Sequence, residues 1–300
     1  MDGIDQDNRK GGMIFRVFCV FITLKIEVGM QDRFITDMGE RLPQTRREAF
    51  FFYYRENLGT ILNLGLRCAI LLVPAIITLW LKESYFDSLL QGLSEVTAEG
   101  AASARNSTNA LFGIIENIAM MLFVVFLSGT FQVIRQLLWK EILVFKVDYQ
   151  KGIRRNGGRF LLAALPVGLV DAFLKWSVPS TPTFLLRAIW AVILLPVCAW
   201  FMLQTVYYQF RILEGFRNAV ILYIRTWPVT LLLLAVTALP FYIGSIAGYL
   251  QILKYLALLI VAFVFVVPMT MVWMLYANEI FDKYINQENY PEYYRKGLQR

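Results

Sequence analysis

Residues Leu111–Trp139 read LFGIIENIAMMLFVVFLSGTFQVIRQLLW, an apolar block whose ionisable residues are Glu116 and Arg135. About 20 apolar residues at a rise of 1.5 Å each suffice to cross the hydrocarbon core of a bilayer, and this block exceeds that length. Working outward, five further blocks have the same character: Leu58–Leu81, Phe160–Trp176, Thr183–Leu213, Val229–Leu250 and Leu253–Phe281. Phe160–Trp176 is the short one, joined to its successor through the Pro-rich turn Ser177–Thr183, which predicts a tight helical hairpin. A few residues around Gln251 separate the last two blocks, predicting a second hairpin. The expected fold is therefore an all-α polytopic membrane bundle of six transmembrane helices.

Composition agrees with that reading and narrows function. Of 300 residues, 58% are apolar and 17% charged, and the mean hydropathy is +0.54. Soluble chains carry roughly 25% charged residues and lack sustained apolar runs. Histidine is absent. That removes histidine-based acid–base catalysis, Ser-His-Asp triads and histidine-ligated metals. Cys19, Cys68 and Cys198 stand apart with no ligand spacing around them, so neither a disulfide framework nor a metal site is expected. Paired carboxylates within one span, a Gly-x-Ser-x-Gly turn and a nucleotide-binding Gly-rich loop are also missing. The expectation is a non-enzymatic protein without cofactor or metal, in contact with lipid and not with nucleic acid.

Orientation follows from lysine and arginine near the span ends, because cytoplasmic loops carry the excess. Counting the stretch before the first span, the loops after the second and fourth, and the tail gives seventeen positive residues on one side. The other side has four: Lys82, Arg105, Lys175 and Lys254. The +7 net charge is mostly this asymmetry, and both termini are expected in the cytoplasm of a bacterial cell. Residues 1–57 then form a cytoplasmic or interfacial extension, 58–281 the membrane domain, and 282–300 a cytoplasmic tail. Met13–Leu24 is too short and too interrupted by Arg16 to span, and it lacks a cleavage site, so it reads as an in-plane amphipathic helix. Lys82–Ala110 reads as an acidic outer loop with one sequon, Asn106-Ser107-Thr108.

Ionisable residues at depth are costly, roughly 2.5–3.5 kcal/mol each at mid-span, so they mark candidate sites. Arg67 lies about 13 Å into the first span and Asp171 about 16 Å into the third, which runs the same way, allowing an Arg67–Asp171 pair. Glu116 and Arg187 make a second candidate pair nearer the outer surface. Such pairs serve either a solute or proton pathway or the fixing of helix register. Internal prolines, Pro74, Pro166, Pro196, Pro240 and Pro268, have a similar double reading: hinges around a cavity, or the ordinary proline content of membrane helices.

The two long inner loops resemble each other. Lys140–Arg159 (KEILVFKVDYQKGIRRNGGR) and Arg211–Trp227 (RILEGFRNAVILYIRTW) both follow an inward helix, precede an outward one, and carry glycine, arginine and asparagine at similar offsets. Asp148, Tyr149, Gly152, Arg154 and Asn156 in the first, with Gly215, Arg217 and Asn218 in the second, form a candidate docking surface for a cytoplasmic partner. The alternative is contact with anionic lipid head groups.

Residues Leu122–Phe160 (LFVVFLSGTFQVIRQLLWKEILVFKVDYQKGIRRNGGRF) resemble the YesL-like family of bacterial membrane proteins. The features shared are a small-residue turn in the second helix, an aromatic/Asp segment at Asp148-Tyr149, Gly152, and a basic stretch ending at Asn156. FRNAVILYIRTWPVTLLLLAVTALP and NEIFDKYI are also similar to it, giving coverage from about Tyr54 to Ile285. The extended N-terminus and the acidic outer segment depart from the family's compact pattern. The resemblance implies a link to carbohydrate utilisation and to sugar ABC importers, and carries no catalytic residue. It therefore implies an accessory subunit, partnered by permease or ATPase subunits or by further copies of itself. The alternative is a stand-alone permease or channel for a small solute.

Overall fold

A computed structural model describes residues 43–92, 97–177, 181–246 and 251–298. The element order is α1 (Arg46–Glu56), α2 (Leu58–Gln91), α3 (Ala98–Leu138), α4 (Phe145–Trp176), α5 (Thr181–Ile189), a π-helical turn (Trp190–Leu194), α6 (Leu195–Tyr207), α7 (Ile212–Ile246) and α8 (Gln251–Phe281). A second π-helical turn (Asp282–Asn286) and the short α9 (Gln287–Asn289) close the chain before a run of tight turns. Among the described residues, six helical segments are long and apolar enough to cross a membrane, as the sequence predicts. Met13–Leu24 and Cys19 lie outside the described residues.

The apolar face of α2 shows why the bundle forms. Ile61, Leu64, Cys68, Leu72, Ala75 and Ile76 are buried, at helical spacing, while Leu62, Leu66, Ile70 and Ile77 stay exposed. Lipid-facing leucine costs nothing, so the exposed set marks the bilayer side. α2 packs on α3 and α8, α3 on α4, α4 on α6, α6 on α7, and α7 on α8, while α3 also reaches α6 and α8. α3 is accordingly central: from Ser128 to Leu138 all but one of its residues are buried. The end of the bundle that carries α1 and the C-terminal turns is termed the near end, and the opposite one the far end.

Three boundaries differ from the expected ones, each for a local reason. The basic segment assigned to an inner loop is the first four turns of α4, which starts at Phe145 rather than Phe160. Charge ends a hydropathy window but not a helix. Asp148 caps this one, its Oδ2 accepting the Val144 N–H at 2.8 Å. Arg211–Trp227 behaves alike, nearly all of it lying in the opening turns of α7. At the far end the supposed loop Lys82–Ala110 is mostly helix, since α2 runs to Gln91 and α3 begins at Ala98, where the Thr97 hydroxyl accepts the Gly100 N–H at 3.1 Å. The fourth span breaks at Trp190–Leu194, just before Pro196, which has no N–H to give the Val192 carbonyl. That carbonyl accepts the Tyr223 hydroxyl from α7 instead. Pro74, Pro166, Pro240 and Pro268 sit inside unbroken helices.

Candidate functional site

The near end of α2 carries the most unusual charge. Asn63 and Arg67 are one turn apart on the same face. The Asn63 Oδ1 accepts the Arg67 Nε–H at 3.0 Å. The guanidinium lies 4.9 Å from the ring centre of Phe145 and 5.2 Å from that of Tyr149, a cation–π arrangement on two rings from the first turns of α4. Tyr149 is itself fixed, its hydroxyl donating to the Phe126 carbonyl at 3.2 Å. Arg67 is half-buried, and no carboxylate forms an ion pair with it among the described residues.

Arg67 and Asp171 are not brought together. Tyr149 lies against Arg67, and Asp171 follows Tyr149 by about 33 Å of continuous helix. Once α4 begins at Phe145, Asp171 belongs to the far end. There its Oδ2 pairs with Lys175 Nζ at 2.7 Å, one turn along. Glu116 does not meet Arg187 either. Its two oxygens take Lys175 Nζ at 2.7 Å and Lys82 Nζ at 3.2 Å, while the exposed Arg187 donates to the Leu174 carbonyl at 3.4 Å. Lys254 pairs with Glu83, whose other oxygen accepts the Tyr255 hydroxyl at 2.6 Å. The far end thus holds a linked set, Lys82, Glu116, Lys175 and Asp171, with balanced charge.

The docking candidates divide into buried and exposed groups. Asp148, Tyr149, Gly152 and Asn156 are buried along the α3–α4 seam, where surface docking would not reach them. A Cβ on Gly152 would stand 2.5 Å from that of Gln132 and 2.9 Å from the Gly129 Cα, so glycine here sets the closeness of the two helices. Gly215 is buried likewise against Phe210 and Phe201. Arg154, Arg217 and Asn218 are exposed. Arg154 lines, with Val147, Gln150, Lys151 and Arg155, a shallow depression of about 490 Å³ on one face of α4. Along the seam, both polar atoms of Gln132, the Oε1 of Gln136 and the Nδ2 of Asn156 are buried without a hydrogen-bond partner among the described residues. Such groups are destabilising unless water reaches them.

Sequence reasoning passed over the C-terminal turns, which form a cap on the near end. Arg46 of α1 pairs with Asp282 and also donates to the Lys296 carbonyl at 3.1 Å. Lys296 Nζ pairs with Glu141 at 2.6 Å and sits 4.2 Å from the Trp139 ring centre. The Tyr53 hydroxyl donates to the Gly297 carbonyl at 2.9 Å, and the Tyr208 hydroxyl to Asn286 Oδ1 at 2.6 Å. Gly297 has φ +82° and lies against the Leu138 carbonyl, which a Cβ would meet at 1.9 Å. Burial first, then Glu56, pushes the Tyr53 phenol up to about 12, with Arg46 opposing. Burial also raises Tyr208, helped by Tyr207, Asp282 and Tyr290 and opposed by its bond to Asn286. The available signal was the tyrosine-rich NYPEYYRKG, which a count of positive charges ignores.

Among the described residues, no three His, Cys, Asp or Glu side chains gather to hold a metal ion. The fold defines a class, the six-span helical membrane bundle. Comparisons with protein-family models, curated proteins and solved structures find no match to this chain.

Proposed function

We propose that this chain is a non-catalytic, multi-pass subunit of a bacterial cytoplasmic-membrane assembly, with its near end and both termini in the cytoplasm. In this reading, which follows the resemblance to the YesL-like family, it works beside a carbohydrate ABC importer and docks to its permease or ATPase subunits. One observation supports it above others. At the near end Lys151, Arg154, Arg155 and Arg217 are exposed and have no ion-pair partner among the described residues. Of the four positive residues counted on the far side, three are neutralised by Glu116, Asp171 or Glu83. Free positive charge is thus concentrated at one end, which supports a cytoplasmic near end under the positive-inside rule. It also offers a surface to an acidic partner.

Behind that surface large side chains pack the bundle among the described residues. Trp200, Phe160, Phe201, Phe281, Met271 and Met274 are fully buried, which favours a docking subunit over a conduit. The unpartnered amides of Gln132, Gln136 and Asn156 favour the second reading, a stand-alone permease with a polar seam. Gentle purification from the native membrane separates the two. Transporter subunits that co-purify with the wild type and are lost from Arg154→Glu/Arg217→Glu support the docking reading. Solute uptake by the chain alone in proteoliposomes overturns it.

A further inference from the structure

Several charges drawn into the helices are paired, whereas Arg67 meets no carboxylate among the described residues and stands against two aromatic rings, a setting that points to a ligand. Lys82, Lys175 and Lys254 pair with carboxylates, and Arg135 pairs with Glu141 at 3.5 Å. Arg67 has Asn63 on its Nε–H and two aromatic rings beside its guanidinium. Those contacts use one N–H and leave the edge formed by the two Nη nitrogens, which meets no carboxylate among the described residues. A guanidinium held at Nε and stacked on rings is preorganised, and its remaining edge matches two oxygens of a phosphate. A charge inside a span calls for a counterion or a route to the interface.

The surroundings indicate where the phosphate comes from. Leu66 and Ile70, flanking Arg67 on α2, are 39% and 45% exposed on a helix whose exposed side faces lipid. Phe145 is the first residue of α4, so the arginine sits beneath the near-end surface, within the snorkelling reach of a long side chain. The next residue, Lys146, is exposed and has no ion-pair partner among the described residues, adding positive charge where a head group would lie.

We propose that Arg67, set in place by Asn63, Phe145 and Tyr149, binds the phosphate of an anionic membrane phospholipid where α2 meets the first turns of α4. The site is separate from the exposed docking surface of Arg154 and Arg217, and it stands whether or not the chain joins an importer.

The test is native mass spectrometry of the purified full chain in detergent, titrated with phosphatidylglycerol or with a phosphate-free diglycosyl diacylglycerol. Thermal unfolding of each variant is measured alongside. The wild type is expected to hold one phosphatidylglycerol about tenfold more tightly than Arg67→Gln, the range of one charge-assisted bidentate contact. Arg67→Lys, which keeps the charge and loses the fork, should fall between them, and Asn63→Ala should weaken binding in the same direction. Arg105→Gln, exposed at the far end, should match the wild type, and the glycolipid should not distinguish wild type from Arg67→Gln. Equal phosphatidylglycerol affinity in wild type and Arg67→Gln overturns the proposal, and so does equal affinity in Arg67→Lys should the glutamine variant fail to fold. Displacement of the lipid by millimolar inorganic phosphate also overturns it, because the site would then take a free anion.

Discussion

The two ends of the bundle differ in how they hold the charges set deepest in their helices. At the far end Glu116 is clasped by Lys82 and Lys175, Lys175 also holds Asp171, and Lys254 holds Glu83. At the near end Arg67 is held by an amide and two rings, and the surface above it carries exposed lysines and arginines. A closed network satisfies itself and asks nothing of its surroundings. An arginine with a free edge draws its counterion from outside the chain. The far end is thus built to stay as it is, and the near end to receive something.

Breaking the closed network should have the largest effect. Glu116 has a side chain only 14% exposed and bridges two lysines. Glu116→Gln removes the charge that compensates Lys82 and leaves Lys175 with Asp171 alone. Removing one partner of a well-buried pair costs about 3 kcal/mol, somewhat less where water retains access. Unfolding in detergent, followed by circular dichroism or by thiol accessibility of the buried Cys68, should show that loss. The double variant Lys82→Met/Glu116→Gln should recover part of it, because the orphaned charge is then gone. Equal stability of Glu116→Gln and wild type would mean that the far-end pairs are dispensable.

Much of this contrast was hidden in the sequence. The six spans were legible because a bilayer demands long apolar blocks, and Leu111–Trp139 meets that demand whatever its neighbours do. The charge pairs were not. A third span that starts at Phe160 gives Arg67 and Asp171 a shared depth. Adding the four basic turns from Phe145 moves Asp171 to the opposite end. Asp148, a docking candidate by sequence, is a helix cap, a role its spacing of four residues from Val144 allows but does not announce. Lys82 and Lys175, which a count of outer charges includes, are also the partners of Glu116. Pairing depends on helix register, and hydropathy carries none.

The cap at the near end offers a milder perturbation. Tyr53 on α1 holds the Gly297 carbonyl, and burial pushes its phenol up to about 12 from an ordinary value near 10. A phenol whose folded value is raised stabilises the docked cap fully below pH 10 and loses that contribution as pH climbs through 12. Tyr208 shifts in the same direction and adds to the same window. Hydrogen exchange or limited proteolysis across residues 287–298 should therefore report undocking between pH 10 and 12. Tyr53→Phe, short of one neutral hydrogen bond, should cost about 1 kcal/mol at neutral pH. It should also reduce the alkaline dependence without abolishing it. An undocking curve flat to pH 12 would rule out the buried phenols as its source.

The smallest expected change is also the sharpest probe of the difference between the ends. In a phosphate-free, uncharged detergent Arg67 has no counterion, so replacing it removes a poorly compensated charge instead of breaking a pair. Arg67→Met loses the hydrogen bond to Asn63 and the contacts with Phe145 and Tyr149, together about 1 kcal/mol, and gains from no longer holding a charge in the span. Stability should accordingly change by less than about 1 kcal/mol in either direction, against a loss several-fold larger at Glu116. Adding phosphatidylglycerol should stabilise the wild type and leave Arg67→Met less affected, because a ligand bound by the folded state alone raises its stability by mass action. A loss at Arg67 as large as that at Glu116, in detergent without lipid, would mean that the near-end arginine is sealed within the fold like the far-end lysines.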